Sequence, residues 1–128
     1  MNLIGIGTDI VEIERIAHLL ERQAERFTRR ILHDDELAYF EKLMPEKQAA
    51  WLAKRFATKE ALAKAFGTGI GQFAQWHEIE TRHDAWGKPQ LLLHGITQET
   101  AERLGVSNTA LSLADERHYA VAFVILTG

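Results

Sequence analysis

No cysteine occurs anywhere in the 128 residues, which excludes disulfides, thiolate metal sites and cysteine nucleophiles. An excess of positive charge is missing too. A net charge of −3 argues against a general nucleic-acid binder but leaves room for a local basic surface. No apolar run approaches membrane-spanning length, and Met1-Asn2-Leu3-Ile4-Gly5 lacks a charged region followed by a long apolar core. Neither membrane insertion nor secretion is expected, and the cytoplasm is the expected compartment. Six histidines are present, but none pairs with another at His-x-x-x-His spacing on an expected helix, so a zinc site is not expected. There is no internal repeat, low-complexity tract or Walker-type loop, and Ser107 and Ser112 lack a nucleophile-elbow context. Only two prolines occur, and both fall at boundaries: Pro45 before the longest helix, Pro89 in a turn.

What is present suits one domain over residues 1–128, with a real core. Residues 2–11 read as a buried strand whose glycines mark close approach by another backbone or a ligand, closed by Asp9. The Gly5-x-Gly7 pair is not a dinucleotide fingerprint, because the third glycine and the βαβ context are missing. Alone, Asp9 reads as a cap for the next helix. Residues 12–30 form a helix with Ile13, Ile16, Leu19 and Leu20 on one side and arginines on the other. His33-Asp34-Asp35-Glu36 caps a short helix. Beyond Gly67 come a loop, a half-exposed strand over 77–83, a turn over 84–89, a strand over 90–94 and a short helix over 97–104. Two final strands follow, 109–114 and 118–126. Both faces of the last are apolar, so it is expected to be buried on both sides, within the domain or at a subunit interface. The fold class is α+β: an antiparallel sheet of four or five strands packed on the first helix and the long central one.

That central helix carries the candidate chemistry. It begins at Pro45 and stops at Gly67. At the helical period Leu52, Phe56, Ala63 and Phe66 share an arc, with Lys59 inside it and Arg55 towards its edge. Glu60 and Lys64 stand one turn apart at the border. They can form a surface ion pair worth about 0.2–0.5 kcal/mol, and Lys59 can snorkel to water. Alternatively Arg55, Lys59 and Lys64 around one glutamate, ending in Gly67-Thr68-Gly69, can hold a divalent cation and the phosphates it bridges.

Two stretches together, Gly5-Ile-Gly-Thr-Asp9-Ile-Val-Glu-Ile13 and Arg55-Phe-Ala-Thr-Lys-Glu-Ala-Leu-Ala-Lys-Ala-Phe-Gly-Thr-Gly69, resemble the signatures of the holo-acyl-carrier-protein synthase family of small bacterial 4'-phosphopantetheinyl transferases. Arg29-Arg-Ile-Leu32, Gly87-Lys-Pro89 and Leu113-Ala-Asp-Glu-Arg-His-Tyr-Ala120 also fit, so the resemblance covers nearly the whole chain. It implies the 4'-phosphopantetheinyl transferase fold, a homotrimer with active sites at subunit clefts, and transfer of the phosphopantetheine arm of coenzyme A to a serine of acyl carrier protein. By the resemblance, Asp9 and Glu60 hold Mg²⁺, and Lys64 lies near the phosphates as electrostatic clamp or proton acceptor. Arg55, Lys59, Gly67, Thr68 and Gly69 are candidate coenzyme A contacts. The first helix, with Arg15, Arg22 and Arg26, is by the resemblance the expected dock for the acidic carrier protein; as residues alone they favour a solvated face. One departure matters: many members carry a histidine where this chain has Ala114, leaving Asp115 or water as other proton acceptors. A Mg²⁺-dependent nucleotide phosphohydrolase and a non-catalytic nucleotide-binding module are the competing classes.

Overall fold

The computed structural model describes Asn2–Gly128. In chain order the elements are β1 (Leu3–Glu12), α1 (Ile13–Ile31), α2 (Asp34–Glu41), α3 (Pro45–Phe66), a 3₁₀ turn (Trp76–Glu78), β2 (Ile79–His83), β3 (Pro89–Leu93), α4 (Gly95–Arg103), β4 (Asn108–Asp115) and β5 (Tyr119–Thr127). The α+β class holds, but the strands do not form one sheet of four or five. They divide into an antiparallel three-stranded sheet, β1-β5-β4, and a separate β2-β3 hairpin.

α3 is the axis of the molecule. Pro45 sits at its first turn, where a missing N–H costs nothing, and Gly67 closes it in the left-handed conformation at φ 84°. The apolar arc read from the sequence is only one of its buried sides. A second stripe, Ala53, Ala57, Ala61 and Ala65, is also buried and receives β1. A Cβ on Gly7 would lie 1.9 Å from the Ala61 carbonyl oxygen, and one on Gly5 2.0 Å from that of Ala65. The strand glycines therefore exist because two backbones meet there. A helix enclosed on this many sides needs apolar residues nearly all round, which the alanines supply without bulk.

Within the single chain β5 is enclosed on one face. Ala120, Ala122, Val124 and Leu126 are fully enclosed against α3, but the opposite face of the sheet is uncovered in the single chain. There Ile6, Ile10, Tyr119 and Phe123 are 56, 63, 42 and 39% exposed. The register sets Ile6 beside Ile125 and Ala110, Thr8 beside Phe123 and Ser112, and Ile10 beside Val121 and Ala114. The final strand is thus buried on one side within the chain. α1 is also not one straight helix: Gln23 leaves helical geometry (φ −145°, ψ 39°) and kinks it. No helix among the described residues is long and apolar enough to cross a membrane.

Candidate active site

β1 runs antiparallel along α3 from the Ala65 level to the Ala61 level, so alternation carries Asp9 to the same side of the strand as Gly5 and Gly7. Its Oδ1 accepts a 2.9 Å bond from Lys64 Nζ, which also donates to the Thr8 carbonyl at 3.0 Å. The lysine side chain is half exposed and the Asp9 side chain largely covered. Lys64 therefore bridges strand and helix at their rim. The i, i+4 pair with Glu60 that the sequence allows does not form. Glu60 instead accepts a 3.0 Å bond at Oε2 from the Trp76 indole N–H. That partner lies sixteen residues away, beyond any local pattern, and no signal in the sequence announced it.

Lys59 and Arg55 follow a different logic. Lys59 is fully buried, and its three protons go to Glu36 Oε1 (2.7 Å), the Trp76 carbonyl (3.0 Å) and the Ile79 carbonyl. Burial drives its pKa down, and the neighbouring Glu36 carboxylate opposes that shift. It does not snorkel, and it has neither surface nor proton to offer a phosphate; its expected contact with coenzyme A does not fit this geometry. Glu36, the third residue of α2, also accepts from the amides of Thr81 (2.9 Å) and His33 (3.1 Å). The acidic first turn of α2 thus contains the anchor of a buried network. Arg55 lies over the Trp51 ring at 4.5 Å. Its Nε is 3.6 Å from Glu36 Oε2 and has no hydrogen-bond partner among the described residues. It lines a cleft of about 760 Å³ with Tyr39, Trp51, Arg82, His83 and Asp115. None of Asp9, Glu60 and Lys64 belongs to that cleft.

In the Gly67-Thr68-Gly69 loop, the Gly67 and Gly69 amides bond the Lys64 and Ala63 carbonyls at 2.9 and 3.1 Å. They close the helix rather than stand free for phosphate, and the helix end carries the negative side of its dipole. On α1, Arg15, Arg22 and Arg26 are exposed and form no ion pair among the described residues, whereas Arg29 pairs with Glu25 at 2.8 Å. Ala114 stands on the open sheet face beside Val121. Asp115 is held by Lys54 at 3.3 Å.

By donor chemistry the two carboxylates suit a hard divalent cation: Asp9 and Glu60 offer oxygens, and among the described residues each engages one oxygen with a protein cation or N–H.

Residues 5–124 match the 4'-phosphopantetheinyl transferase superfamily, and the chain belongs to it. Within that class it is 52% identical over 126 residues to a holo-[acyl-carrier-protein] synthase of Vibrio parahaemolyticus, covering 98% of each chain. The crystal structure of the Neisseria meningitidis holo-[acyl-carrier-protein] synthase superposes with a TM-score of 0.92 at 40% identity, over 99% of this chain and 100% of that one. The Bacillus anthracis synthase, solved in complex with CoA (3',5'-ADP), gives 0.80 at 35% identity over 97% and 96%.

Proposed function

We propose that this chain is a one-domain holo-acyl-carrier-protein synthase of fatty acid biosynthesis. It moves the 4'-phosphopantetheine group of coenzyme A onto a serine hydroxyl of apo acyl carrier protein and releases adenosine 3',5'-bisphosphate. The observation that carries this reading is the joining of Asp9 and Lys64 at the β1–α3 rim, within a chain that matches named synthases along nearly its whole length. The serine Oγ–H bond breaks, its proton passing to Asp115 or to water, and an Oγ–phosphorus bond forms at the β-phosphorus. The bond to the α-phosphate oxygen breaks, and the adenosine bisphosphate leaves with that oxygen.

Asp9 and Glu60 would hold Mg²⁺, which when bound neutralises pyrophosphate charge. The Trp76 indole and Lys64 fix the two carboxylates. Lys64 keeps a proton beyond the two it gives to β1, available to a phosphate oxygen as charge develops. With Ala114 on the open face, this chain has no histidine there to take the serine proton.

The open sheet face supports a homotrimer, because an apolar surface of this kind marks an interface. A closed ring pairs unlike edges of neighbouring copies. It would bring the β4 edge of one copy, with the cleft that holds Arg55, towards the β1 edge and Asp9 of the next. The exposed arginines of α1 are the proposed dock for an acidic carrier protein, acting mainly on encounter rate. The reading includes a cytoplasmic location, which cell fractionation checks.

Intact mass spectrometry of apo carrier protein incubated with this protein, coenzyme A and Mg²⁺ tests the function. The carrier should gain the mass of one phosphopantetheine group, and Asp9→Asn and Glu60→Gln should each abolish that gain. Coenzyme A hydrolysis with unmodified carrier would instead identify a phosphohydrolase, and binding without turnover a non-catalytic module.

A further inference from the structure

Three side chains from three separate elements converge away from the Asp9–Lys64 rim: His33 before α2, Glu80 on β2 and His94 before α4. Each offers one metal-ligating atom, and these atoms all lie within 4.8 Å of one another. Glu80 Oε1 is 2.9 Å from His94 Nε2 and 3.5 Å from His33 Nδ1. The two imidazole rings stack with centroids 4.3 Å apart and planes 14° from parallel. Neighbouring ligand atoms around a tetrahedral Zn²⁺ at 2.0–2.1 Å stand about 3.3 Å apart, close to the spacing of Glu80 Oε1 from both imidazole nitrogens, and one of the two stacked rings must turn out of the stack for both lone pairs to meet the cation. We propose that His33, Glu80 and His94 form a binding site for one Zn²⁺-like cation, distinct from the carboxylate pair at Asp9 and Glu60.

Four further features support it. Glu80 is 2% exposed, and its second oxygen is held by Arg82 Nε at 2.8 Å. A ligating carboxylate commonly has such an outer partner to fix its orientation. His33 Nδ1 accepts a 3.2 Å bond from the Asp35 amide, so the atom facing Glu80 Oε1 carries a lone pair. Two acceptors then confront each other at 3.5 Å, and a cation between them answers both. Coordination gives up the Asp35 bond, but that amide is exposed and water replaces the protein acceptor. Lastly, a cavity of about 320 Å³ opens onto His33 and His94, leaving room for water as a fourth ligand. Glu78 does not compete for the metal, because its carboxylate caps α4 through the Ile96 and Thr97 amides.

The absence of a His-x-x-x-His pair concealed this site: its ligands come from positions 33, 80 and 94, joined only by the fold. The cation would clip the start of α2 to the β2-β3 hairpin and the start of α4, independently of the proposed transfer reaction.

The test uses the full, untagged chain carrying Glu60→Gln, so that the other carboxylate pair contributes little. Zn²⁺ is titrated against a chromophoric chelator. One equivalent should bind, and at about 50 µM Zn²⁺ the Tm should rise by mass action. His94→Gln should weaken binding by at least about 100-fold, beyond what loss of a merely supporting residue costs. Because that variant uncovers Glu80 and can misfold, the imidazole nitrogens of the unsubstituted protein are also followed by NMR. The resonances of His33 and His94 should move with one equivalent of Zn²⁺ while those of His18 and His118 stay. No stoichiometric binding, or shifts confined to other histidines, overturns the proposal.

Discussion

The two sheets are fastened to the same helix by opposite means. β1 lies on α3 through glycines against alanine carbonyls, with Lys64 as a polar tie at the rim. β2 is instead tied to α3 by a buried ammonium: Lys59 reaches the Ile79 carbonyl and Glu36, and Glu36 holds the Thr81 amide. Close backbone contact gains dispersion but tolerates no added atom. Buried ions carry a desolvation penalty that only a complete set of partners offsets. The first attachment is intolerant of size and the second of incompleteness. The second also has a reach the first lacks, since Lys59 fixes the backbone of Trp76 while the Trp76 indole fixes Glu60.

The sharpest way to break this contrast is to remove the ammonium. Lys59→Met leaves Glu36 without its closest cationic partner and should cost about 3–5 kcal/mol, read as a fall in the urea midpoint. Adding Glu36→Gln should recover part of that loss, since the stranded charge goes with it. If Lys59→Met costs no more than an exposed lysine substitution, the network is not what holds β2.

On the other sheet the counterpart is Gly7→Ala. Its new methyl group meets the Ala61 carbonyl oxygen and, at 2.8 Å, the Ala65 amide nitrogen. Both are backbone, so neither can swing away. The expected loss is about 3 kcal/mol, the upper part of the range for overpacking. An unchanged urea midpoint would mean that β1 has freedom to lift off α3.

Trp76→Phe separates positioning from stability. The ring remains to pack against Phe56 and beneath Arg30, but the N–H to Glu60 is lost. Losing a partner that orients a metal-holding carboxylate commonly costs about 10–100-fold in activity, so kcat should fall about 10-fold or more with the KM for coenzyme A little changed. A fall in Tm with normal kcat would reduce Trp76 to a packing residue.

This contrast also explains what the sequence could and could not tell. β1, α3 and the Gly67 stop were legible because helical periodicity, a proline and an αL glycine are local signals. The metal-holding roles proposed for Asp9 and Glu60 rest on motif resemblance, with Glu60 also singled out by the charge pattern of α3. The split into two sheets was not legible, since strand lengths carry no pairing information. Lys59 was misread because an ammonium inside an apolar arc looks the same whether it snorkels or is enclosed. What decides between these is Glu36, twenty-three positions away, and Glu36 itself resembled an ordinary acidic first turn. Arg15, Arg22 and Arg26 read as a solvated face on residues alone and as a dock by resemblance, and their exposure leaves both open to the carrier-binding test.

The smallest expected effect compares the two hairpin turns, each fastened by one carboxylate. In the β4–β5 turn, Glu116 Oε1 accepts from the His118 and Tyr119 amides at 2.7 and 3.0 Å. In the β2–β3 turn, Asp84 Oδ1 accepts from the Trp86 and Lys88 amides at 2.8 and 2.9 Å. The His118 N–H does most to hold Glu116 below the usual glutamate range, and the Lys88 N–H does most for Asp84. A carboxylate whose pKa is lower folded than unfolded stabilises above its unfolded pKa, and that contribution fades as pH falls through the folded value. Glu116→Gln and Asp84→Asn should therefore each lower Tm slightly at neutral pH, because a neutral amide accepts the same bonds more weakly. Each gap from the unsubstituted protein should close on acidification, as the native carboxylate takes up its proton. Glu116 is exposed and Asp84 only partly buried, so water screens both groups and keeps the effects small. The β2–β3 gap should be the more sensitive to salt, since Lys88 also favours the charged Asp84 through space. Thermal melts at stepped pH and two salt concentrations resolve this, and a gap that persists undiminished into acid would show that the turns depend on side-chain shape rather than charge.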